Sequence, residues 1–464
     1  MTQKRHPSPD QTPLTGFAYA RAFFEQMVED TLAEAKRLGA SDAAVEVSEG
    51  CGLSVSVRLG ELENVERNRD KSLGVTVYCG QRRGSASTSD FSPAAMRQTV
   101  KAAFDIARFT AEDPAAGLPD VADLVSARQA RRDLDLFHPW AIDAAQAAEL
   151  AQACERAAMA TDSRITNSEG AGVSAQQFQF WSANSRGFRG GYATSRHFVS
   201  VAPIAGRGKD MQRDSWYSYK RDPKDLAPVQ AVGRYAAERA LSRLRARRVP
   251  TCEVPVLFEA PVAAGLLGSF VQAISGGSLY RKASFLMDSL GTQVFADHVD
   301  LSEDPFVLKG RGSAPFDDEG VATQKRTIVD AGRVQGYFLS SYSARKLGMR
   351  TTGNAGGSHN LVMSSRLTRP QDSLSGLIRQ MGRGLLVTEL MGQGVNGVTG
   401  DYSRGASGFW IEHGEIAFPV EEITIAANLK DMFRGVVAIG SDAYESGGRT
   451  VGSIWVDRMK LAGE

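Results

Sequence analysis

The chain has 464 residues, and 54 lysines and arginines nearly balance 53 aspartates and glutamates, for a net charge of +1. This length predicts two or three domains, each large enough for its own core. Because the charge is balanced and mixed along the sequence, no global field would recruit nucleic acid or an anionic membrane. The longest basic run, Arg243–Arg248, is interpreted as the end of a helix.

Four scattered cysteines form no C-x-x-C pair, which favours free thiols in a reducing compartment over a disulfide framework. Residues 1–16 are polar, contain prolines and lack the apolar stretch of a signal peptide. We therefore expect a disordered lead-in and a cytoplasmic protein.

The first predicted elements are two helices that flank a group of short strands. Helical periodicity runs over Phe17–Leu38 and stops at Gly39, which suits a C-cap. A second helix is predicted to begin at Ser92-Pro93, which form its cap, and to end at about Phe109. Between them, alternation of apolar and polar residues predicts strands, with a hairpin turn at Gly60-Glu61. The predicted strands are Ala43–Val47, Leu53–Leu59, Leu62–Arg67, Gly74–Tyr78 and Ser85–Ser89.

Further strands and helices follow up to a boundary in the middle of the chain. Residues 112–140 are predicted to be irregular, and a helix is predicted over Ala141–Thr161. Strands are predicted within residues 165–219, followed by a helix over Leu226–Arg245. The composition changes where the basic run meets Pro250, so a domain boundary is predicted there.

The predicted fold class is α+β with two domains. Residues 1–16 form the lead-in, 17–248 an N-terminal domain of helices with an antiparallel sheet, and 249–464 a β-rich C-terminal domain with few helices. The one long helix predicted in the last third is Leu374–Leu386.

The segment Ala260–Tyr280 carries no charge over a length that could span a bilayer. It is rich in alanine, glycine and serine, however, and its large apolar residues recur every four positions. We interpret it as a helix packed inside the protein and expect no membrane insertion.

Seven glycines recur among apolar residues in Val387–Glu415. Glycine gives up side-chain packing for backbone freedom or close approach, so this density predicts bulged strands and tight turns.

A local catalytic constellation is not visible. The six histidines are far apart in the sequence, so no pair one helical turn apart can form a metal motif, although remote ligands stay open. Gly405–Gly408 is one residue short of the G-x-S-x-G elbow, and no G-x-x-x-x-G-K-[ST] loop occurs. We therefore assign no catalytic and no metal-binding residues from local motifs.

Two loops are the remaining candidates. Asp317–Gly320 is interpreted as an acidic turn, which is either solvated or ordered. The loop of residues 351–360, TTGNAGGSHN, can offer backbone N–H groups and polar side chains to a ligand. A purely structural role is an equally good interpretation of the same residues. Its predicted substrate-binding residues are Thr352, Gly353, Asn354, His359 and Asn360.

The sequence GDYSRGASGFWIEHGE at Gly400–Glu415 resembles the TldD/PmbA family, in its PmbA (TldE) branch. The likeness extends over nearly the whole chain. The other stretches that carry it are Glu63–Pro93, Asp133–Pro139, Arg164–Gly170, Tyr280–Gly291, Ser341–Gly348, residues 351–360 and 387–394.

The resemblance implies a bacterial heteromeric peptidase of two related subunits that acts on unfolded or short peptides, including peptide-toxin precursors and an antitoxin. The sister subunit carries an H-E-x-x-x-H helix and a distant cysteine as metal ligands. That helix aligns with Gly265–Ala273, where the histidines fall at Leu267 and Gln272 or at Gly268 and Ala273. Cys252 is the last cysteine. The resemblance therefore implies no metal on this chain and zinc on its partner.

The expected partners are a TldD-like metal-bearing homologue and an extended peptide, with a homodimer when the homologue is absent and no nucleic acid. The acidic turn and the Thr352–Asn354 loop occur in both branches, which suggests fold or channel architecture. Two alternatives remain: a stand-alone metallopeptidase with unconventional ligands, and a non-enzymatic binding protein of the DNA gyrase modulator type.

Overall fold

The computed structural model describes residues 15–463, so the predicted lead-in lies almost wholly outside the described residues. The chain divides into two compact units. The first runs up to Leu241 and also contains Pro315–Ala322, whereas the second comprises Ser242–Ala314 and the residues from Thr323 onward. The boundary predicted from sequence was between residues 248 and 249, with no return of the chain to the first unit.

The first unit is an antiparallel sheet with helices. Its sheet has eight strands among the described residues, in the order β3-β2-β1-β4-β6-β7, with β5 beside β4 and β8 beside β6. The elements are α1 (Arg21–Arg37), β1 (Asp42–Arg58), β2 (Glu61–Cys79), β3 (Arg82–Thr88), α2 (Pro93–Phe109), α3 (Ala127–Ala130), α4 (Ala144–Met159), β4 (Ile165–Asn184), β5 (Arg189–Gly190), β6 (Ala193–Ala205), β7 (Gln212–Arg213), β8 (Trp216–Lys220) and α5 (Val229–Ser242).

Strands β1 and β2 are longer than predicted. Each was expected as two pieces, because serines and glycines interrupt β1 and charged residues interrupt β2. Gly52 lies inside β1, and a Cβ atom there would be 1.8 Å from the side chain of Gln176 on β4. This glycine therefore leaves room for the Gln176 side chain to lie over strand β1. The hairpin turn is formed by Leu59 and Gly60, both with positive φ, as a tight two-residue turn requires.

Helices α1 and α2 cover one face of this sheet. Val45 and Val47 of β1 point into the same core as Phe24 of α1 and Val100 of α2. Helix α2 begins as predicted, because the Ser92 side chain accepts a hydrogen bond from the backbone of the first turn. Side chains alternate along a strand, so Glu46, Ser48 and the following even-numbered residues of β1 point to the opposite face of the sheet. We call this the open face.

The second unit contains two mixed sheets and several helices. One sheet has the strand order β12-β11-β10-β13-β19-β18 and the other β16-β15-β14-β9-β20-β17. The elements are β9 (Cys252–Phe258), α6 (Ala260–Ala273), α7 (Gly276–Tyr280), β10 (Val299–Glu303), β11 (Arg326–Asp330), β12 (Arg333–Val334), α8 (Ser341–Lys346), β13 (Leu361–Ser365), α9 (Leu374–Met381), β14 (Gly384–Met391), β15 (Asp401–Glu412), β16 (Glu415–Asn428), α10 (Leu429–Arg434), β17 (Val436–Ile439), β18 (Tyr444–Ser446), β19 (Arg449–Val451) and β20 (Ile454–Ala462).

The predicted α+β class is confirmed, with corrections to individual elements. Helix α5 ends at Ser242, so the basic run after it lies outside the helix. Helix α9 ends at Met381, where Gly382 takes a φ of 69°, and Leu385 already belongs to a buried strand. The glycine-rich segment forms β14, β15 and their turns, with register shifts on both strands, as predicted. No helix of residues 15–463 is long and apolar enough to span a membrane.

Candidate functional site

Helix α6 follows directly from strand β9, and Pro261 lies in its first turn, where a missing N–H breaks no helical hydrogen bond. Leu267 and Phe270 pack in the core of the second unit. The outer side of the helix carries no charged residue, and Gly265 and Gln272 on it are exposed. This helix covers Gly265–Ala273, the segment for which the sequence resemblance implies an alignment with a metal-binding helix.

An arginine side chain lies against this helix. Nη1 of Arg449, on β19, is 3.0 Å from the position that a Cβ atom would take at Gly268. Its Nε atom is enclosed and has no hydrogen-bond partner among the described residues. Burial lowers the pKa of the Arg449 guanidinium, as expected for a cation removed from water without a carboxylate beside it.

The loop of residues 351–360 begins close to the carboxyl end of α6. Thr352 and Leu339 exchange hydrogen bonds: the Thr352 N–H donates to the Leu339 carbonyl at 3.1 Å, and the Leu339 N–H donates to Thr352 Oγ1 at 2.8 Å. The adjacent Phe338 forms a β-bridge with Ser275, just after the helix. The start of the loop is therefore fixed relative to α6.

The same loop ends beside the arginine. Leu361 begins strand β13 and pairs in parallel register with Arg449 on β19. The Leu361 N–H also donates to the carbonyl of Gly448 at 2.9 Å. Helix α6, Arg449 and the loop thus form one contiguous site within the second unit.

A buried carboxylate holds the loop in place. Glu303, at the end of β10, accepts hydrogen bonds at 2.8 Å from Asn354 Nδ2 and from the His359 N–H, and at 2.7 Å from Arg326 Nη2. Burial alone would raise the pKa of Glu303, but the hydrogen bond with the His359 ring and the positive charge of Arg326 outweigh it. The pKa of Glu303 therefore lies below its ordinary value.

Glu303 and Arg326 were not among the residues predicted from sequence. A signal was present, since Val299, Leu301 and Glu303 alternate along one side of β10 and the first two are buried in the core. A carboxylate in the third inward position requires a partner, because burial of an unpaired charge is strongly unfavourable. The partner itself, 23 residues away in sequence, gives no local signal.

The structure places all five predicted substrate-binding residues in this one loop. Thr352 donates to Asn354 Oδ1 at 2.8 Å, and Gly353 takes a φ of 70°, which favours glycine. Asn360 donates to the Asp304 carbonyl and to Ser313 Oγ at 2.8 and 2.7 Å. These bonds hold the loop and its neighbour together.

Little of the polar side-chain surface of the loop remains for a ligand. Asn354, His359 and Asn360 are buried, with 5, 8 and 9% of their surface exposed. Gly356 and Gly357 at the loop tip are exposed, and both have positive φ. Substrate binding by this loop stays a prediction, and its backbone at the tip is the part that can reach a peptide.

No group of three or more His, Cys, Asp or Glu side chains within residues 15–463 is arranged to hold a metal ion. His298 is used structurally, with its ring nitrogens 2.8 Å from Ser365 Oγ and 2.9 Å from the Val436 carbonyl. The four cysteines are unpaired. Burial, with a smaller effect of the neighbouring Glu155 charge, raises the pKa of the Cys154 thiol to about 12, so this thiol is not a nucleophile.

The acidic turn belongs to the first unit. Asp317 is buried, and its Oδ1 accepts hydrogen bonds from the N–H groups of Glu319 at 3.0 Å and Val321 at 2.9 Å. The ring of Phe316 packs edge-on against Phe188 at 5.0 Å. The acidic turn is therefore ordered, which is one of the two interpretations of its sequence given above.

Models of three protein-family domains match most of the chain. They are described as PmbA/TldA metallopeptidase domain 1, central domain and C-terminal domain, and they match residues 43–107, 137–244 and 251–463.

Relatives and solved structures agree with these matches. The chain is 48% identical over 445 residues to the Metalloprotease PmbA of Escherichia coli O157:H7, covering 96% of this chain and 97% of that protein. A solved structure from Bacteroides thetaiotaomicron, named as a modulator of DNA gyrase, has a TM-score of 0.88 at 26% identity and covers 95% of this chain and 99% of its own. TldE from Thermococcus kodakarensis has the same fold, with a TM-score of 0.80 at 19% identity, covering 94% and 100%. The chain belongs to the PmbA/TldD metallopeptidase family.

Proposed function

We propose that this chain is the subunit without metal of a heteromeric peptidase, and that it binds and positions an extended peptide for a metal-bearing TldD-like homologue. The observation that carries the proposal is the position of Arg449 against Gly268 of α6. A cation lies on the helix that aligns with the metal-binding helix of the sister branch.

The family name implies a metal, and the residues of α6 do not fit one. In one register the ligand positions are Leu267, which is buried in the core, and Gln272, whose amide donates to Ser278 Oγ at 3.0 Å. In the other register they are Gly268 and Ala273, which have no donor atoms in their side chains. A divalent ion about 5 Å from a guanidinium would be opposed by roughly 7 kcal/mol at an effective dielectric constant near 20.

The same features suit a peptide. The Arg449 side chain is half-buried, and its η nitrogens, which lie beside Gly268, are the donors that can hydrogen-bond a backbone carbonyl or a terminal carboxylate of a bound segment. The exposed backbone of Gly356 and Gly357 lets an extended chain approach closely, and hydrogen bonding between the two backbones needs no particular peptide sequence. These contacts would fix the peptide while the partner performs the cleavage with its zinc.

The proposal places the protein in the cytoplasm, which its four unpaired cysteines support. The expected substrates are unfolded or short peptides, including toxin precursors and an antitoxin. In the absence of its partner the chain is expected to form a homodimer, because homologous subunits offer related interfaces.

The test is co-expression with a TldD-like homologue, followed by peptide cleavage assays and zinc analysis on each chain and on the mixture. We expect cleavage only in the mixture and zinc only in the homologue. A mixture in which the metal-helix glutamate of the homologue is replaced by glutamine serves as the control and should be inactive.

Two outcomes would replace the proposal. Cleavage by this chain alone, with stoichiometric zinc that is lost on His359→Ala or His413→Ala, would establish a stand-alone metallopeptidase. Capture of DNA gyrase by the purified chain, without any metallopeptidase homologue, would favour a modulator. The net charge of +1 gives no electrostatic support to direct DNA binding by such a modulator.

A further inference from the structure

A cavity of about 310 Å³ lies on the open face of the first unit. Glu46 of β1 reaches this face because its neighbours Val45 and Val47 point into the helix-covered core. Four aromatic rings and the acidic turn complete the lining: Phe178, Phe180, Tyr192, Phe316 and Asp318. The volume is at the lower end of the range for ligand pockets, ~300–1,000 Å³.

Three of the rings form a mutually tilted set. The ring of Phe180 is 4.8 Å from Tyr192 at 73° and 6.2 Å from Phe316 at 69°. Tyr192 and Phe316 are 5.7 Å apart at 64°. Phe188 packs on Phe316 and helps to fix it. Such packing fixes the ring positions, so the cavity is preformed.

The charge in the cavity is negative. The carboxylate of Glu46 has no hydrogen bond or ion pair within residues 15–463. Glu46 is exposed on the open face, but partial desolvation by the surrounding protein, together with the charge of Asp318, raises the pKa of its carboxyl group. Burial also raises the pKa of Tyr192 to about 12, with Asp318 and Glu46 adding to this and Arg221 opposing it. A cation entering the cavity would relieve the repulsion between these carboxylates.

We propose that this cavity binds a lysine or arginine side chain of the peptide. The tilted aromatic rings present π-electron density to a cation, and Glu46 supplies a carboxylate within the same cavity. The inference rests on the proposed function in that the ligand is a peptide, and it adds the chemistry that one subsite prefers.

Space for the flanking residues lies beside it. A second cavity of about 610 Å³ on the same face shares Phe178 and Thr194 with the first. Gly50 and Gln176 line its floor, and Phe198 lies on the neighbouring strand. An extended peptide that inserts one basic side chain into the smaller cavity can therefore continue along the open face.

The test measures binding of the full-length chain alone to labelled peptides by fluorescence anisotropy. The peptides are acetylated and amidated heptamers that differ only at the central residue, which is lysine, arginine or norleucine. We expect lysine and arginine peptides to bind at least about tenfold more tightly than the norleucine peptide. Glu46→Gln should reduce this preference to less than about threefold, whereas Glu61→Gln, at an exposed position of β2, should preserve it.

A second variant guards against a folding defect. Ser182 lies opposite Glu46 on β4, so Ser182→Arg would supply an internal guanidinium and should abolish the preference. Equal binding of lysine and norleucine peptides by the wild-type chain would overturn the inference. A second result would also overturn it: a norleucine peptide with a free amino terminus that binds as tightly as the acetylated lysine peptide and loses this affinity in Glu46→Gln. Failure of the proposed function would be seen separately, as a mixture of subunits that does not cleave.

Discussion

Nη1 of Arg449 is 3.0 Å from the Cβ position of Gly268, so a guanidinium whose Nε has no hydrogen-bond partner among residues 15–463 lies against helix α6. A Cβ atom at residue 268 would require the end of the Arg449 side chain to shift by a few tenths of an ångström, and a longer side chain would compete for its space. Gly268 leaves room for the arginine, and the resulting surface is suited to an anion or a carbonyl rather than to a metal.

Arg449→Met should separate stability from function. A guanidinium that is partly removed from water without a partner is unfavourable, so the free energy of unfolding should stay equal or increase. Loss of its hydrogen bond to the peptide should lower kcat/KM of the mixed subunits by about tenfold to a hundredfold. Denaturant unfolding and peptide cleavage measure the two effects.

The control for this variant is Arg458→Met, at an exposed position of β20, which should change neither quantity. A loss of stability in Arg449→Met without any change in cleavage would contradict the assigned role.

Glu303→Gln should destabilise the second unit strongly. The substitution leaves Arg326 buried without its counter-charge, and breaking a buried pair in this way typically costs about 3–5 kcal/mol. The free energy of unfolding from urea titration measures the loss. Glu445→Gln, at an exposed position of β18, should remain within about 0.5 kcal/mol of the wild type.

The contribution of Glu303 should also depend on pH. Its pKa is lower in the folded chain than in the unfolded chain, so the stabilisation is complete above the unfolded-state pKa, about 4.3 for a glutamate. As pH falls below this value and through the lower folded-state pKa, the stabilisation is lost. The stability difference between wild type and Glu303→Gln should therefore be constant above about pH 5.5 and shrink below about pH 4. A difference that grows toward low pH would contradict the ionised pair.

Local chemistry in the sequence predicted much of the fold. Helix α2 begins where Ser92 caps it, and the α6 segment is a packed helix, because cap residues and apolar periodicity act over a few residues. The prediction of Leu374–Leu386 as one helix failed because the apolar residues at its end also suit a buried strand.

Long-range pairing explains what the sequence could not predict about the site. The predicted loop residues lie together, but the groups that fix them are distant: Glu303 is 56 residues from His359. Arg449 reaches α6 from β19, a strand that pairs with β13 and lies far from α6 in the sequence. No pattern of neighbouring residues encodes such contacts.

The glycine-rich strands allow a matched pair of substitutions that tests close packing. A Cβ atom at Gly408 on β15 would be 1.8 Å from the carbonyl oxygen of Leu386 on β14, a backbone atom that cannot move without opening the sheet. Gly408→Ala should therefore cost more than about 3 kcal/mol of unfolding free energy, as expected for severe overpacking of a core. Gly265→Ala on the exposed side of α6 meets no atom within 4 Å and should stabilise by about 0.5–1 kcal/mol, through helix propensity. Urea unfolding of both variants measures the contrast, and equal effects of the two substitutions would show that backbone approach is not the reason for the glycine at residue 408.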